Sequence, residues 1–342
     1  MGVPGKILVI KPSSLGDVAH VFPALEILRR SFPDSELDFV IHPAFAGLLD
    51  LSPFPVRKKI LFDRKKLSSV SGFFPALYKL VRDIRAEQYE LVVDFQGLLR
   101  SAFMVMASKS CITAGFASPR EKFASAAYSK KIDVKMDQHA VERYVELANK
   151  ICGTNFSVPE LKVPAIKLDG ELEKMLPEKF IVLVPGARWE SKVFPPELFA
   201  DSVKYLQKEF PELKGVIAGS STDKKMADEI RKIIPDAVDL TGKTSLLQLA
   251  EVMRRAKAVL TNDSGPMHVA AISGTKIFAL FGPTDPGLTG PYGRDHLILR
   301  HETLECLNCM KKRCPVSEAP ECHMIEPQKI AEKIAAYLRE NF

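Results

Sequence analysis

At 342 residues, 46% hydrophobic and 26% charged, the chain is long enough for two ordinary domains and has a globular composition. No apolar run approaches the roughly 18 residues that cross a bilayer, and MGVPGKILVIKP leads directly into a strand with no signal segment, so a cytoplasmic protein is expected. The net charge of +6 lies entirely in residues 1–163, which hold 23 Lys+Arg against 17 Asp+Glu, whereas residues 164–342 hold 25 of each.

In chain order, Lys6–Ile10 reads as a short buried strand, Pro12 to Asp17 as its turn, and Val18 to Arg30 as a helix with Val18, Val21, Phe22, Leu25 and Leu28 on one face. Leu37–Ile41 is a second strand. The basic clusters Arg57-Lys58-Lys59 and Arg64-Lys65-Lys66 precede an amphipathic helix from about Phe73 to Ala86. Leu91–Phe95 is a strand, followed by a helix from Leu98, and a further helix carries Gln138 to Arg143 and runs to about Ile151. The segment Gly153 to Pro177, with three prolines and little periodicity, reads as a linker. The alternation then restarts. Strands are expected at 180–184, 215–218, 239–240, 258–261 and 277–281, helices at 196–210, 224–234, 245–256 and 327–339. Such alternation predicts an α/β fold of two doubly wound parallel sheets, whose carboxyl ends would face a cleft suited to two substrates.

Several function classes are disfavoured. The turn after the first strand has one glycine where a dinucleotide fingerprint needs three, and no Walker lysine motif is present. The basic clusters fit either a solvated loop or an anionic partner, such as a phosphorylated acceptor or an acidic membrane surface. Nucleic acid is not expected, because the clusters lack interleaved aromatics.

The densest local signal is Ala258 to Pro286, a strand, a turn (Asn262-Asp263-Ser264-Gly265-Pro266), a short helix and another strand. Asp263, Ser264, Gly265 and His268 thereby fall at the carboxyl end of a strand and the amino end of a helix, where a phosphate is favoured. Asp17 occupies the corresponding position after the first strand. Its alternative there is a favourable interaction with the helix dipole.

Five segments, IKPSSLGDVAHVFPAL, DFQGLLRSA, QHAVER, NDSGPMH and GPTDPGLTGPYG, resemble glycosyltransferase family 9, the lipopolysaccharide heptosyltransferases. QHAVER and GPTDPGLTGPYG are most similar to the branch that adds the first heptose to Kdo-lipid A. The resemblance implies a GT-B fold with an acceptor domain at 1–163, a donor domain at 164–326 and a C-terminal helix, 327–342, returning to the first domain. It implies ADP-heptose as donor, Kdo-lipid A as acceptor, inversion at the anomeric carbon, no required cofactor, and a peripheral site of action on the cytoplasmic face of an anionic inner membrane.

On this resemblance Asp17 matches the catalytic base and Lys192 the lysine on the donor diphosphate, a task that suits a point charge. Arg188 stands where the family often has a hydroxyl residue. Asp223 matches an acidic residue near the ribose, although it could equally cap the next helix. Backbone amides at Ser264 and Gly265, with His268, would hold the diphosphate, and Asp263 the heptose hydroxyls. Arg64, Lys65, Lys66 and Arg120 would meet acceptor carboxylates and phosphates; Gln96, His139 and Arg143 are further acceptor-side candidates. Finally, Cys306, Cys309, Cys314 and Cys322 fall within 17 residues. Zinc or an iron–sulfur group, a disulfide or redox pair, and free thiols are all compatible with that spacing. Cys111 and Cys152 are expected to be buried apolar residues.

Overall fold

The computed structural model describes residues 2–67, 72–293, 295–301 and 303–342, and divides into two compact units, 1–163 and 164–342. In the first unit β1 (Lys6–Ile10), α1 (Leu15–Ser31), β2 (Glu36–Ile41), β3 (Val56–Leu61), α2 (Arg64–Leu67), α3 (Phe73–Arg85), β4 (Leu91–Asp94), α4 (Leu99–Ser108), β5 (Ile112–Phe116), β6 (Lys130–Ile132) and α5 (Ala140–Cys152) follow one another. All six strands are parallel, in the order β3-β2-β1-β4-β5-β6. The central strands are almost continuously apolar because both sheet faces are covered. Leu80 and Ile84 of α3 and Met104 and Val105 of α4 pack on Leu8, Ile10, Val40 and Val92.

The second unit contains α6 (Gly170–Met175), β7 (Phe180–Val184), α7 (Pro196–Gln207), β8 (Lys214–Ile217), α8 (Lys224–Ile233), β9 (Val238–Asp239), α9 (Leu246–Arg255), β10 (Ala258–Asn262), α10 (Gly265–Ile272), β11 (Ile277–Leu280), α11 (Pro286–Thr289), β12 (Leu297–Leu299) and α12 (Pro327–Asn341). Its sheet is also parallel, in the order β12-β11-β10-β7-β8-β9. Read from the other edge, this is the winding of the first unit. Each order reverses direction beside its first strand, and open α/β sheets bind ligands at the carboxyl ends of the strands flanking that point. Here those strands are β1 and β4 in one unit, β7 and β10 in the other.

Two expectations change. Arg57, Lys58 and Lys59 belong to the edge strand β3, not to a loop. Arg57 pairs with Asp38 at 2.6 Å and Glu87 at 3.1 Å, and Lys59 with Asp50 at 2.5 Å. Charged side chains on an edge strand protect it from further pairing, and they hide its alternation in the sequence. The C-terminal helix, expected to return to the first unit, buries Ile330, Ile334 and Leu338 in the core of the second, with Phe199, Val203 and Leu206 of α7. Arg339 of α12 clasps Glu209 at 2.7 and 2.8 Å.

Candidate functional site

In the second unit the site grows from the turn after β10. Asn262 is fully buried, and its amide nitrogen donates to the Pro185 carbonyl at 2.6 Å, joining this turn to the one after β7. Ser264 is the extended residue before α10, with Pro266 in the first turn, where a missing N–H costs nothing. The Ser264 hydroxyl does not cap the helix. Ser264 Oγ and Asn262 Oδ1 are buried without a hydrogen-bond partner among the described residues. Two orphaned polar atoms beside a helix amino terminus fit a ligand with its own donors and negative charge.

Asp263, only 6% exposed, accepts from Lys192 Nζ at 2.5 Å and from Thr284 Oγ1 at 2.5 Å. The Lys192 ammonium lies 4.7 Å from the centre of the Trp189 ring. The expected division of labour therefore meets a direct contact: the lysine meant for the diphosphate and the carboxylate meant for the sugar are already paired. His268 is buried one turn into α10. Asp223 accepts from Ser220 N at 2.7 Å and Ser220 Oγ at 2.8 Å, which closes the turn 221–223, but contrary to expectation its side chain makes no cap to the next helix, α8. It also lies over Gly186 and Gly219. A β-carbon at either position would come within 2.5 and 2.7 Å of its carboxylate oxygens, so those glycines permit its approach to the ends of β7 and β8. Arg188 is exposed. Thr284 and Asn262 were not singled out from sequence, although both lie inside the motif segments.

The first unit builds its site from the turns after β1 and β4. Asp17 sits in the first turn of α1 and accepts from Ser14 N and Ser14 Oγ, both at 2.8 Å. This is a reciprocal cap, so the local structural role is real; the carboxylate is still half-exposed. Gln96 Oε1 accepts from Ser13 N at 3.4 Å, which brings the β4 turn to the β1 turn. That β4 turn is organised by buried Asp94, which accepts from Gln96 N at 2.7 Å and Tyr128 OH at 2.7 Å. Gly97, with φ +64, completes it against Pro119.

Behind these turns stands Lys11, 3% exposed, donating to Tyr144 OH at 2.8 Å and the Phe95 carbonyl at 3.1 Å. Burial opposes its charge, but Tyr144, Asp17 and Asp94 together raise its pKa above the ordinary lysine value. The sequence reading missed this cation, whose signal is a lysine continuing an apolar strand. His139 caps the start of α5, its Nδ1 accepting from Val141 N at 3.2 Å, and its ring meets His20 edge-on at 5.3 Å. Arg143 reaches the Met136 carbonyl at 3.5 Å. Arg64, Lys65 and Lys66 are exposed on α2, and Arg120 is exposed in the loop after β5. Arg100, at the start of α4, is a further basic residue that the sequence reading omitted.

All six cysteines are free thiols. Burial, then the neighbouring thiols of Cys306, Cys314 and Cys309, push Cys322 up to about 11. Among the described residues no group of three or more His, Cys, Asp or Glu side chains is arranged to hold a metal ion. The segment bearing the four thiols is instead stapled to the Lys192 turn. Ser191 Oγ donates to Lys311 O at 2.6 Å, Ser191 N to Lys312 O at 3.2 Å, and His323 Nε2 lies 2.8 Å from Ser191 O.

Against known proteins, the profile described as glycosyltransferase family 9 (heptosyltransferase) matches residues 77–319. Lipopolysaccharide heptosyltransferase 1 of Pseudomonas aeruginosa is 30% identical, over 97% of this chain and 98% of that protein. Lipooligosaccharide heptosyltransferase 2 of Campylobacter jejuni is 26% identical, over 98% and 99%. The solved structure of Escherichia coli heptosyltransferase WaaC with ADP superposes with a TM-score of 0.77 at 24% identity, covering 98% of this chain and all of that one. The two Rossmann-like sheets are those of the GT-B fold. Its sequence and winding agree: this chain belongs to glycosyltransferase family 9, the heptosyltransferases, and is a glycosyltransferase.

Proposed function

We propose that the enzyme transfers L-glycero-D-manno-heptose from ADP-heptose to the Kdo of Kdo-lipid A, with inversion, in assembly of the lipopolysaccharide inner core. The observation that carries the donor assignment is the Lys192–Asp263 pair beside the amino end of α10, with Ser264 Oγ and Asn262 Oδ1 buried and unpartnered nearby. Asp17 takes the proton of the acceptor hydroxyl as that oxygen attacks the anomeric carbon, and the bond from that carbon to the diphosphate oxygen breaks. Lys192 and the first amides of α10 neutralise the charge that gathers on the departing ADP. When the diphosphate engages the Lys192 ammonium, Thr284 continues to hold Asp263, whose other capacity serves the heptose hydroxyls. Asp223 faces the ribose and His268 supports the diphosphate. Gln96, His139, Arg143, Arg64, Lys65, Lys66 and Arg120 serve the anionic acceptor.

The similarity to a heptosyltransferase 2 keeps a second reading, transfer to a different, already heptosylated acceptor. Among the described residues no helix is long and apolar enough to cross a membrane, and action at the inner-membrane surface is part of this proposal. Incubation with ADP-heptose and a panel of acceptors tests it. ADP release that requires Kdo-lipid A is expected. Release only with a heptosylated acceptor supports the second reading, and sugar epimerisation without acceptor contradicts both.

A further inference from the structure

Fifteen large hydrophobic side chains are exposed among the described residues, and seven of them lie on α3, α4 and the turn 122–127. On α4, Leu99, Phe103 and Met106 are 52%, 39% and 62% exposed, spaced so that they share the face opposite the one packed on the sheet. The helix is thus apolar on both sides, a pattern expected of a helix covered on both sides. On one flank α3 presents Phe74 and Tyr78, 76% and 70% exposed. On the other, the loop that begins the 122–127 turn is tied to the start of α4, with Leu99 N donating to Glu121 Oε2 at 2.6 Å, and carries Phe123, 84% exposed. These residues form one neighbourhood because α3, α4 and the turn follow strands β3, β4 and β5, and α3 and α4 share the core beneath them.

Basic groups gather at one end of this face. Arg100 follows Leu99 directly, and its Nε is buried without a hydrogen-bond partner among the described residues. Burial first, then the proximity of Arg64 and Arg120, holds the Arg100 guanidinium below its ordinary pKa, while Glu121 offsets them in part. The Arg120 loop is fastened to the start of α4, with Glu121 N donating to the Gly97 carbonyl at 3.3 Å and Leu99 N to the Glu121 carboxylate, in the unit that carries the whole +6 of the chain. An apolar stripe beside clustered cations is complementary to a surface that offers hydrocarbon below and phosphate above.

We propose that the outer face of α3, α4 and the turn 122–127 docks on an anionic lipid bilayer, with Leu99, Phe103 and Met106 entering the acyl boundary and Arg64, Arg100 and Arg120 at the headgroup phosphates. This deepens the reading above, on whose lipid-borne acceptor its use depends, but the binding itself needs no substrate. Flotation of the full chain with phosphatidylglycerol–phosphatidylcholine vesicles and with phosphatidylcholine vesicles measures it. The native protein is expected to float with the anionic vesicles and to be released by salt.

Phe103→Ser/Met106→Ser should weaken that association by at least about tenfold, since both changes remove apolar surface that the acyl boundary would bury. Arg100→Gln should weaken it about fivefold. Far-ultraviolet circular dichroism and a thermal melt of the full chain report whether the first unit, which carries all three substituted residues, remains folded in each variant. Undiminished flotation of the variants, flotation equal on both vesicle types, or a concentration-dependent dimer that the apolar variant abolishes overturns the proposal. A native protein that floats yet releases no ADP from ADP-heptose upholds this inference and removes the donor reading instead.

Discussion

The two units wind their strands alike but treat the carboxylate at the ligand-binding end differently. After β1, Asp17 is held by its own turn through Ser14 and stays half-exposed. After β10, Asp263 is buried and gripped by Lys192 and Thr284, residues 71 and 21 positions away in sequence. A locally held carboxylate near water can accept a proton without dismantling its surroundings. A buried carboxylate locked to a cation is a fixed electrostatic fitting. On the function proposed above, one scaffold offers a base in the first unit and a pre-set anion clamp in the second.

Substitutions can break that contrast. Asp17→Asn keeps an oxygen to accept from Ser14, so stability should change by less than about 1 kcal/mol. Turnover should fall roughly 10²–10⁴-fold while ADP binding, read by Trp189 quenching, is unchanged. Near-normal turnover would place the base elsewhere. Lys192→Met should cost about 10²–10³-fold in turnover and, by leaving Asp263 without its cation, about 3 kcal/mol of stability. Adding Asp263→Asn to that variant should recover most of the stability in a denaturant titration but none of the turnover. Recovery of both would make the pair purely structural.

A smaller effect separates scaffold electrostatics from the site. Burial would raise the pKa of Glu251, but hydrogen bonds from Arg254, Arg255 and the Ile166 amide hold it at about 2, against an ordinary value near 4.5. Because the folded pKa is the lower one, this contribution is complete above pH 4.5 and is lost as pH falls toward 2. Acid titration of Glu251→Gln should show a shallower loss of stability through that window, on the order of 2 kcal/mol less. Smallest of all, His323→Ala removes the ring from the Ser191 carbonyl beside Lys192. It should raise the donor KM a few-fold with kcat nearly unchanged, and His323→Gln should restore part of it.

Much of the fold was legible because buried parallel strands announce themselves as apolar runs: KILVI, LVVD, FIVLV and IFAL all became central strands. The edges were not. β3 reads VRKKIL and β6 reads KKI, half-exposed strands whose lysines suppress the signal, and β12 is only three residues long. The turns at Asp17 and Asp263 were legible from turn chemistry at strand ends. Their partners were not, since nothing local says that Lys192 meets Asp263 or that Lys11 is buried against Tyr144. Such pairings arise only when strands distant in sequence are brought level, as Thr261 is with Val184 and Ile10 with Asp94. The attachment of α12 was also hidden, because its apolar stripe states that it packs without saying on which unit.

The most direct test of the account follows the fate of both products from wild-type enzyme, ADP-heptose and Kdo-lipid A in one reaction. Equimolar ADP and heptosylated acceptor, with the anomeric configuration inverted relative to the donor when read by nuclear magnetic resonance, is the predicted result. Retained configuration, or ADP formed at the same rate without acceptor, would contradict it.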